Sequence, residues 1–335
     1  MVKKKKKSAL PLIIILAITF IILIGVIFIY ISKSKKGNEK HDSSSLSSIS
    51  DSTISDVDSS QSVPDSSTAD SSSTVDSSST ADSSSKVESS VTDNEDEALA
   101  AFSSLSYFNS SYAERYKAYK KLNSNLPYEQ AILHVNIGLD RPFYTNTFQA
   151  LNYTSISALV NKYSYLPSTY APSDLKVISS QFSDGTQQLR AEAATAFEKM
   201  CTDAKAQGYS IKAISTYRSY SYQKGLYDRY VQQDGVAAAN TYSAKAGHSE
   251  HQTGLVADVR GSKYYYERFD EEKENKFVLE NAYKYGFIVR YPVGKEHITG
   301  YMAEPWHLRY VGVDIATVLH NEKITFDEYC AKYRT

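Results

Sequence analysis

The sequence is organised around the stretch Ser249-Glu250-His251-Gln252-Thr253-Gly254-Leu255-Val256-Ala257-Asp258 and a second one, Glu304-Pro305-Trp306-His307-Leu308-Arg309. In the first, Gly254 permits a tight turn, and the apolar residues after it predict a short strand that ends on Asp258. In the second, apolar and polar side chains alternate. This alternation predicts a strand on which His307 and Arg309 face the site, whereas Trp306 and Leu308 face the core.

Side chains from both stretches form a donor set that is typical of catalytic zinc. His251, His307 and Asp258 offer two imidazoles and one carboxylate, which leave the fourth tetrahedral position open. Glu304 lies three positions before His307, where its carboxylate can act as a base. Because a His-x6-Asp spacing also arises by chance, a metal site and a coincidental pairing both remain open at this point.

The same residues match the motifs of a known family. The chain resembles the VanY-like D-alanyl-D-alanine carboxypeptidases and their L,D-carboxypeptidase relatives, whose pattern is Ser-x-His-x-x-Gly-x-Ala-x-Asp followed by Glu-x-x-His. Ser249, His251, Gly254 and Asp258 fill the first motif, whereas Val256 stands where the family usually has alanine. The resemblance also runs through segments 215–219 and 285–292, and it covers residues 125–335.

The resemblance implies a zinc metallopeptidase, a D,D-carboxypeptidase that removes the terminal D-alanine from peptidoglycan stem peptides. It places Zn2+ on His251, Asp258 and His307. Glu304 is then expected to take a proton from the attacking water and to return it to the leaving amine.

Substrate contacts are also expected from the resemblance. Arg218 should engage a substrate carbonyl or carboxylate through charge-assisted hydrogen bonds, and is therefore counted with the catalytic residues. Ser249 and Gln223 are expected to bind substrate. Two alternatives stay open: an L,D-carboxypeptidase acting on tetrapeptide stems, and a non-catalytic module that binds zinc and wall peptides.

Composition narrows the class of protein further. The formal net charge of the 335-residue chain is -1, which argues against a nucleic-acid partner. Cys201 and Cys330 are the only cysteines, and neither belongs to a Cys-x-x-Cys pair, so a cysteine zinc site is not expected. One disulfide and two free thiols are both compatible with the sequence.

The N-terminal third differs in composition from the rest. Residues 1–8 are basic, and residues 9–31 form an apolar run long enough to span a bilayer, which predicts an uncleaved signal anchor that binds the membrane. Residues 32–93 are rich in serine and aspartate and are predicted to be a disordered stalk. The expected location is the cell membrane, single-pass, with the catalytic domain extracellular.

The remaining chain is predicted to fold. Residues 94–124 are predicted to form a helical lead-in. The resemblance implies that residues 125–335 form the zinc carboxypeptidase domain. The fold implied by the resemblance is α+β, a small antiparallel sheet that carries the zinc site, with helices around it. Patterning predicts helices at 156–163, 191–206, 221–230 and 275–285, and strands at 131–137, 209–215 and 287–291.

Overall fold

The computed structural model describes residues 95–334. The predictions of a basic segment, a signal anchor and a disordered stalk therefore lie outside the described residues. Within 95–334, the helices are all too short or too polar to cross a membrane.

The described part of the chain contains α-helices, four 3-10 helices and eight strands. Residues 95–100 are helical. The α-helices that follow are α1 (Ala113–Leu122), α2 (Tyr128–Ile137), α3 (Ala191–Ala206), α4 (Tyr220–Tyr242), α5 (Lys273–Asn281), α6 (Glu296–Thr299), α7 (Val313–Glu322) and α8 (Phe326–Tyr333). The 3-10 helices are Ser110–Tyr112, Glu250–Thr253, Tyr266–Glu271 and Ala282–Tyr285. The strands are β1 (Phe148–Gln149), β2 (Ser164–Tyr165), β3 (Leu175–Val177), β4 (Gln188–Arg190), β5 (Lys212–Ser215), β6 (Val256–Arg260), β7 (Phe287–Tyr291) and β8 (Glu304–Tyr310).

The central sheet has four antiparallel strands in the order β5-β6-β8-β7. Helix α3 packs its apolar side against this sheet, and Phe197 meets Phe287 with ring centroids 5.9 Å apart. Val259 and Leu308 are fully buried in the same cluster. Each such side chain contributes about 1.5–3 kcal/mol by leaving water. The predicted α+β class, with a small antiparallel sheet and surrounding helices, is confirmed.

The turn into β6 depends on Gly254. Its φ of 67° lies in the left-handed region, where it ends the 3-10 helix Glu250–Thr253 and redirects the chain into the strand. A Cβ atom at this position would lie 2.9 Å from the side chain of Leu175 and 3.1 Å from that of Arg190. The left-handed conformation therefore favours glycine here, and a larger residue would also have to displace the side chains of Leu175 and Arg190.

Two of the predicted elements were wrong. The run 131–137, predicted as a strand, belongs to helix α2, which Gly138 ends in the left-handed conformation. A short apolar run fits a buried helix as well as a strand, and here Ile132 and Val135 pack on Tyr116 from α1. The segment 156–163, predicted as a helix, is a turn followed by irregular chain and a bend.

Long-range contacts explain the missing helix at 156–163. The buried guanidinium of Arg309 donates to the carbonyl oxygens of Ile156 at 3.0 Å and Ala158 at 2.9 Å. These carbonyls thus pair with a distant side chain instead of continuing an i to i−4 ladder. The predictions for 191–206 and 287–291 are confirmed as α3 and β7.

Helices on both sides of the predicted domain boundary at residue 125 share one apolar cluster, which contains Leu99, Tyr107, Tyr116, Ile132 and Val135. The boundary itself stays a prediction. Cys201 and Cys330 are free thiols, which settles the alternative that the sequence left open. Burial raises the pKa of the Cys330 thiol to about 11, so it is protonated at neutral pH.

Candidate metal centre

Three predicted donors meet on the central sheet. Asp258 in β6 and His307 in β8 are cross-strand partners in register, and His251 comes from the 3-10 helix that precedes Gly254. One ligand atom from each residue lies within 4.8 Å of the other two. His251 Nε2 is 3.2 Å from Asp258 Oδ2, and His307 Nδ1 is 3.1 Å from Asp258 Oδ1. The structure therefore brings together the donor set that the motifs predict.

The chemistry of this cluster fits a zinc ion. His251 Nε2 and Asp258 Oδ1 are buried and have no hydrogen-bond partner among the described residues, although nitrogen and oxygen atoms lie close by. Buried polar atoms are normally satisfied, so atoms that converge without hydrogen-bond geometry indicate a missing common partner. Two imidazole nitrogens and one carboxylate oxygen are a usual zinc set.

The protonation states of His251 and Asp258 suit metal binding. His251 Nδ1 lies 2.6 Å from the carbonyl oxygen of Thr216, so Nδ1 carries the proton and Nε2 presents its lone pair to the cluster. Burial, followed by the charge of Arg218, lowers the pKa of His251 to about 4. Burial on its own would raise the pKa of Asp258, but the two imidazoles outweigh it and lower that pKa well below its ordinary value.

Glu304 lies at the edge of the cluster, at the start of β8. Its side chain lines the cleft, and Oε2 is 3.3 Å from His307 Nδ1. Burial raises the pKa of Glu304 above its ordinary value. A buried carboxylate beside the donors, with a raised pKa, is placed to exchange a proton with a water or substrate in the cleft.

Arg218 reaches the same cluster from the end of β5. Its Nη2 is 3.6 Å from Asp258 Oδ2, and its Nη1 donates to Gln223 Oε1 at 2.7 Å. Gln223 is buried and donates its Nε2 to the carbonyl oxygen of Ala244 at 2.8 Å. Both ends of this amide are thus engaged in holding Arg218. Ser249 is buried on the cleft wall. The substrate contacts of Arg218, Gln223 and Ser249 stay predictions.

Comparison with known proteins agrees with this geometry. Residues 186–313 match the family model described as VanY, D-alanyl-D-alanine carboxypeptidase. The bifunctional D-Ala-D-Ala dipeptidase and D-Ala-D-Ala carboxypeptidase VanXYC of Enterococcus gallinarum is 33% identical over 178 residues, which are 51% of this chain and 91% of that protein. The chain belongs to the VanY family.

Other similar proteins extend this assignment. YodJ of Bacillus subtilis strain 168, provisionally named a carboxypeptidase, is 44% identical over 190 residues, covering 55% of this chain and 70% of YodJ. The solved structure of the LdcB LD-carboxypeptidase, described as revealing the basis of peptidoglycan recognition, has a TM-score of 0.53 at 42% identity. The match covers 56% of this chain and 91% of the LdcB chain. The VanY-family domain is thus similar to enzymes of both specificities.

The cleft of this VanY-family domain is large enough for a peptide. Its volume is about 910 Å³, near the upper end of the usual range for ligand sites. Aromatic side chains form much of its wall beyond the metal cluster: Tyr222, Tyr230, Tyr242, Tyr265, Tyr266 and Trp306. These rings offer apolar surface with polar tips.

Behind the metal cluster lies a buried group of charges that sequence reasoning missed. Glu250 Oε1 is 2.9 Å from Arg290 Nε and 3.0 Å from Arg309 Nη1, and Arg290 Nη1 donates to Asp327 Oδ2 at 2.6 Å. All four side chains are almost completely inaccessible to water. Arg290 in β7 and Arg309 in β8 were the signal in the sequence, because an arginine within a buried strand needs a partner of opposite charge.

Proposed function

We propose that the protein is a zinc-dependent D-alanyl-D-alanine carboxypeptidase that removes the terminal D-alanine from peptidoglycan stem peptides. The observation that carries the proposal is the convergence of His251, Asp258 and His307 within 4.8 Å of one another, next to Glu304 in a cleft. Support also comes from the description of the matching family and from the name of VanXYC, both of which specify D-Ala-D-Ala bonds.

The ion would be held by His251 through Nε2, by His307 through Nδ1 and by the carboxylate of Asp258. When bound, zinc supplies a Lewis acid that lowers the pKa of a water and polarises a carbonyl. Glu304 accepts the proton of the attacking water and donates it to the leaving amine as the peptide bond breaks. Its burial keeps bulk water from competing for that proton.

Arg218 is the proposed cationic contact for the substrate. Its guanidinium is fixed by Gln223 and faces the cleft, where it donates to the carbonyl oxygen or to the terminal carboxylate of the substrate. A donor held in place before the reaction costs little reorganisation when negative charge develops on oxygen. Ser249 contributes a hydroxyl group at the same wall.

A second function is an L,D-carboxypeptidase that acts on tetrapeptide stems. The similarity to the LdcB LD-carboxypeptidase, at 42% identity, favours it. Both reactions use the same metal ligands, base and arginine, so they differ only in which stem enters the cleft. A module that binds zinc and wall peptides without turnover is less favoured, because Glu304 has no use in such a module.

The deciding experiment gives the zinc-loaded protein pentapeptide and tetrapeptide stems in parallel and determines the products by mass. Loss of one alanine from the pentapeptide alone is the result expected for a D,D-carboxypeptidase. Loss from the tetrapeptide would assign the L,D activity instead. No loss from either stem, with zinc bound, would leave the binding module.

We also propose that the enzyme is held at the cell membrane by residues 9–31, with the catalytic domain outside. The apolar run and the serine-rich segment that follows support this location, since the proposed substrate lies in the wall. Protease added to intact cells stripped of their wall should digest the catalytic domain; protection until the cells are lysed would contradict the location.

A further inference from the structure

His307 must present its Nδ1 lone pair to a metal, which requires that its ring proton sit on Nε2. In His251 the two nitrogens are exchanged: Nε2 presents the lone pair, and Nδ1 donates its proton to the carbonyl oxygen of Thr216. Within residues 95–334, however, no backbone carbonyl accepts a hydrogen bond from His307 Nε2. Its Nε2 is buried, has no hydrogen-bond partner among the described residues, and lies 3.7 Å from Glu250 Oε2.

The two oxygens of Glu250 have different surroundings. Oε1 lies 2.9 Å from Arg290 Nε and 3.0 Å from Arg309 Nη1, so both guanidinium groups form their ion pair with this oxygen. Oε2 is buried and has no hydrogen-bond partner among the described residues. Two unsatisfied atoms, an imidazole nitrogen and a carboxylate oxygen, thus face each other across a gap that a movement of about 0.8 Å would reduce to ordinary hydrogen-bond length.

We propose that Glu250 is a positioning residue for the metal centre: Oε2 accepts the Nε2 proton of His307 and thereby fixes the ring with Nδ1 toward the metal. The inference rests on the proposed zinc site and adds to it a residue that does not touch the metal. Histidines that bind metal usually donate their second ring proton to such a carboxylate or carbonyl, which sets the tautomer and the ring orientation.

A glutamine at position 250 would reverse the direction of the hydrogen bond between this residue and His307 Nε2. Arg290 and Arg309 hold the oxygen side of the group, so the amide oxygen would occupy their place and the NH2 group would face His307. That amide would donate to Nε2 and leave the ring proton on Nδ1, the atom needed by the metal. Glu250→Gln should therefore weaken zinc binding through the tautomer of one ring.

A purely structural role of Glu250 is the competing explanation, because its carboxylate also offsets buried cations. Asp327 provides the matched control. Its Oδ2 accepts from Arg290 Nη1 at 2.6 Å and its Oδ1 from Asn161 Nδ2 at 2.8 Å, while it has no hydrogen bond or ion pair with His307 among the described contacts. Asp327→Asn thus perturbs the same buried charges without affecting the histidine.

The experiment compares wild type, Glu250→Gln and Asp327→Asn by zinc affinity from chelator competition, corrected for the folded fraction, and by thermal unfolding. Glu250→Gln should bind zinc about 10–100-fold more weakly. Asp327→Asn should lower the melting temperature and change zinc affinity by less than tenfold. Equal zinc affinity in wild type and Glu250→Gln, or an equal loss in both variants, would overturn the inference.

A measurement on the wild type keeps the inference testable if Glu250→Gln does not fold. Long-range 1H–15N correlation of the zinc-loaded protein should show His307 with a protonated Nε2 and a metal-bound Nδ1. Ligation through Nε2 would refute the role of Glu250 while leaving the zinc site intact. A wild-type protein that binds no zinc would overturn the metal site, and this inference with it.

Discussion

Replacing Glu304 by glutamine removes the proposed proton acceptor with almost no change in shape. The side chain is 10% exposed, and its Oε2 lies 3.3 Å from His307 Nδ1, so an amide of the same size fits the same space. A positioned acid–base group contributes about 10²–10⁴-fold to the rate. Burial raises the pKa of Glu304 and makes it a better base than an exposed glutamate, so we expect kcat to fall toward the larger end of that range.

A loss of that size corresponds to roughly 3–5.5 kcal/mol of transition-state stabilisation. Alanine release from a stem peptide gives kcat and KM, and metal analysis gives the zinc content, which should not change because the three donors remain. Glu267→Gln is the control, since Glu267 is an exposed residue of the same cleft with no ion pair to His251, Asp258 or His307 among the described contacts. Its kcat should stay near that of wild type. A Glu304→Gln enzyme that retains more than about a tenth of the wild-type kcat would refute the role of Glu304 as the base.

Two further predictions concern cations near the site. Arg218→Lys should lower kcat/KM by about 10²–10³-fold with zinc retained, because lysine lacks the planar guanidinium that Gln223 holds. Steady-state kinetics on the stem peptide measures this effect. An unchanged kcat/KM would exclude Arg218 from catalysis. Lys162 is 2% exposed, and burial, followed by the charge of Lys245, lowers its pKa from 10.5 to about 7. Between these values the unfolded state binds more protons, so the free energy of unfolding should rise between pH 7 and pH 9 by up to about 1.4 kcal/mol per pH unit. Urea unfolding should show that this rise is smaller in Lys162→Met, and an equal rise in both proteins would contradict the shifted pKa.

Local sequence determined the elements that bring in the metal donors. Gly254 can adopt the left-handed conformation at no cost, and the apolar residues after it form β6 as predicted. The alternation around His307 gave β8 in the same way. These features depend on backbone conformation and on side-chain periodicity over a few residues, which a sequence shows directly.

Tertiary structure decided what lies behind the donors. Arg309, predicted to face the site, extends beneath it to bind Glu250 and the carbonyls of Ile156 and Ala158, in the segment where a helix was expected. Gln223, predicted as a substrate contact, has its amide engaged between Arg218 and a backbone carbonyl.

The residues that share these contacts lie far apart in the chain. The pairing of Arg290 with Glu250 and Asp327 spans 40 and 37 positions, and that of Arg309 with Ile156 spans 153. Residue types and spacing therefore predicted the three donors that meet on the sheet, because the motifs lie within two strands and one turn. The partners of the buried charges were set by the packing of distant segments, since a buried charge is stabilised by whichever polar groups the fold brings to it.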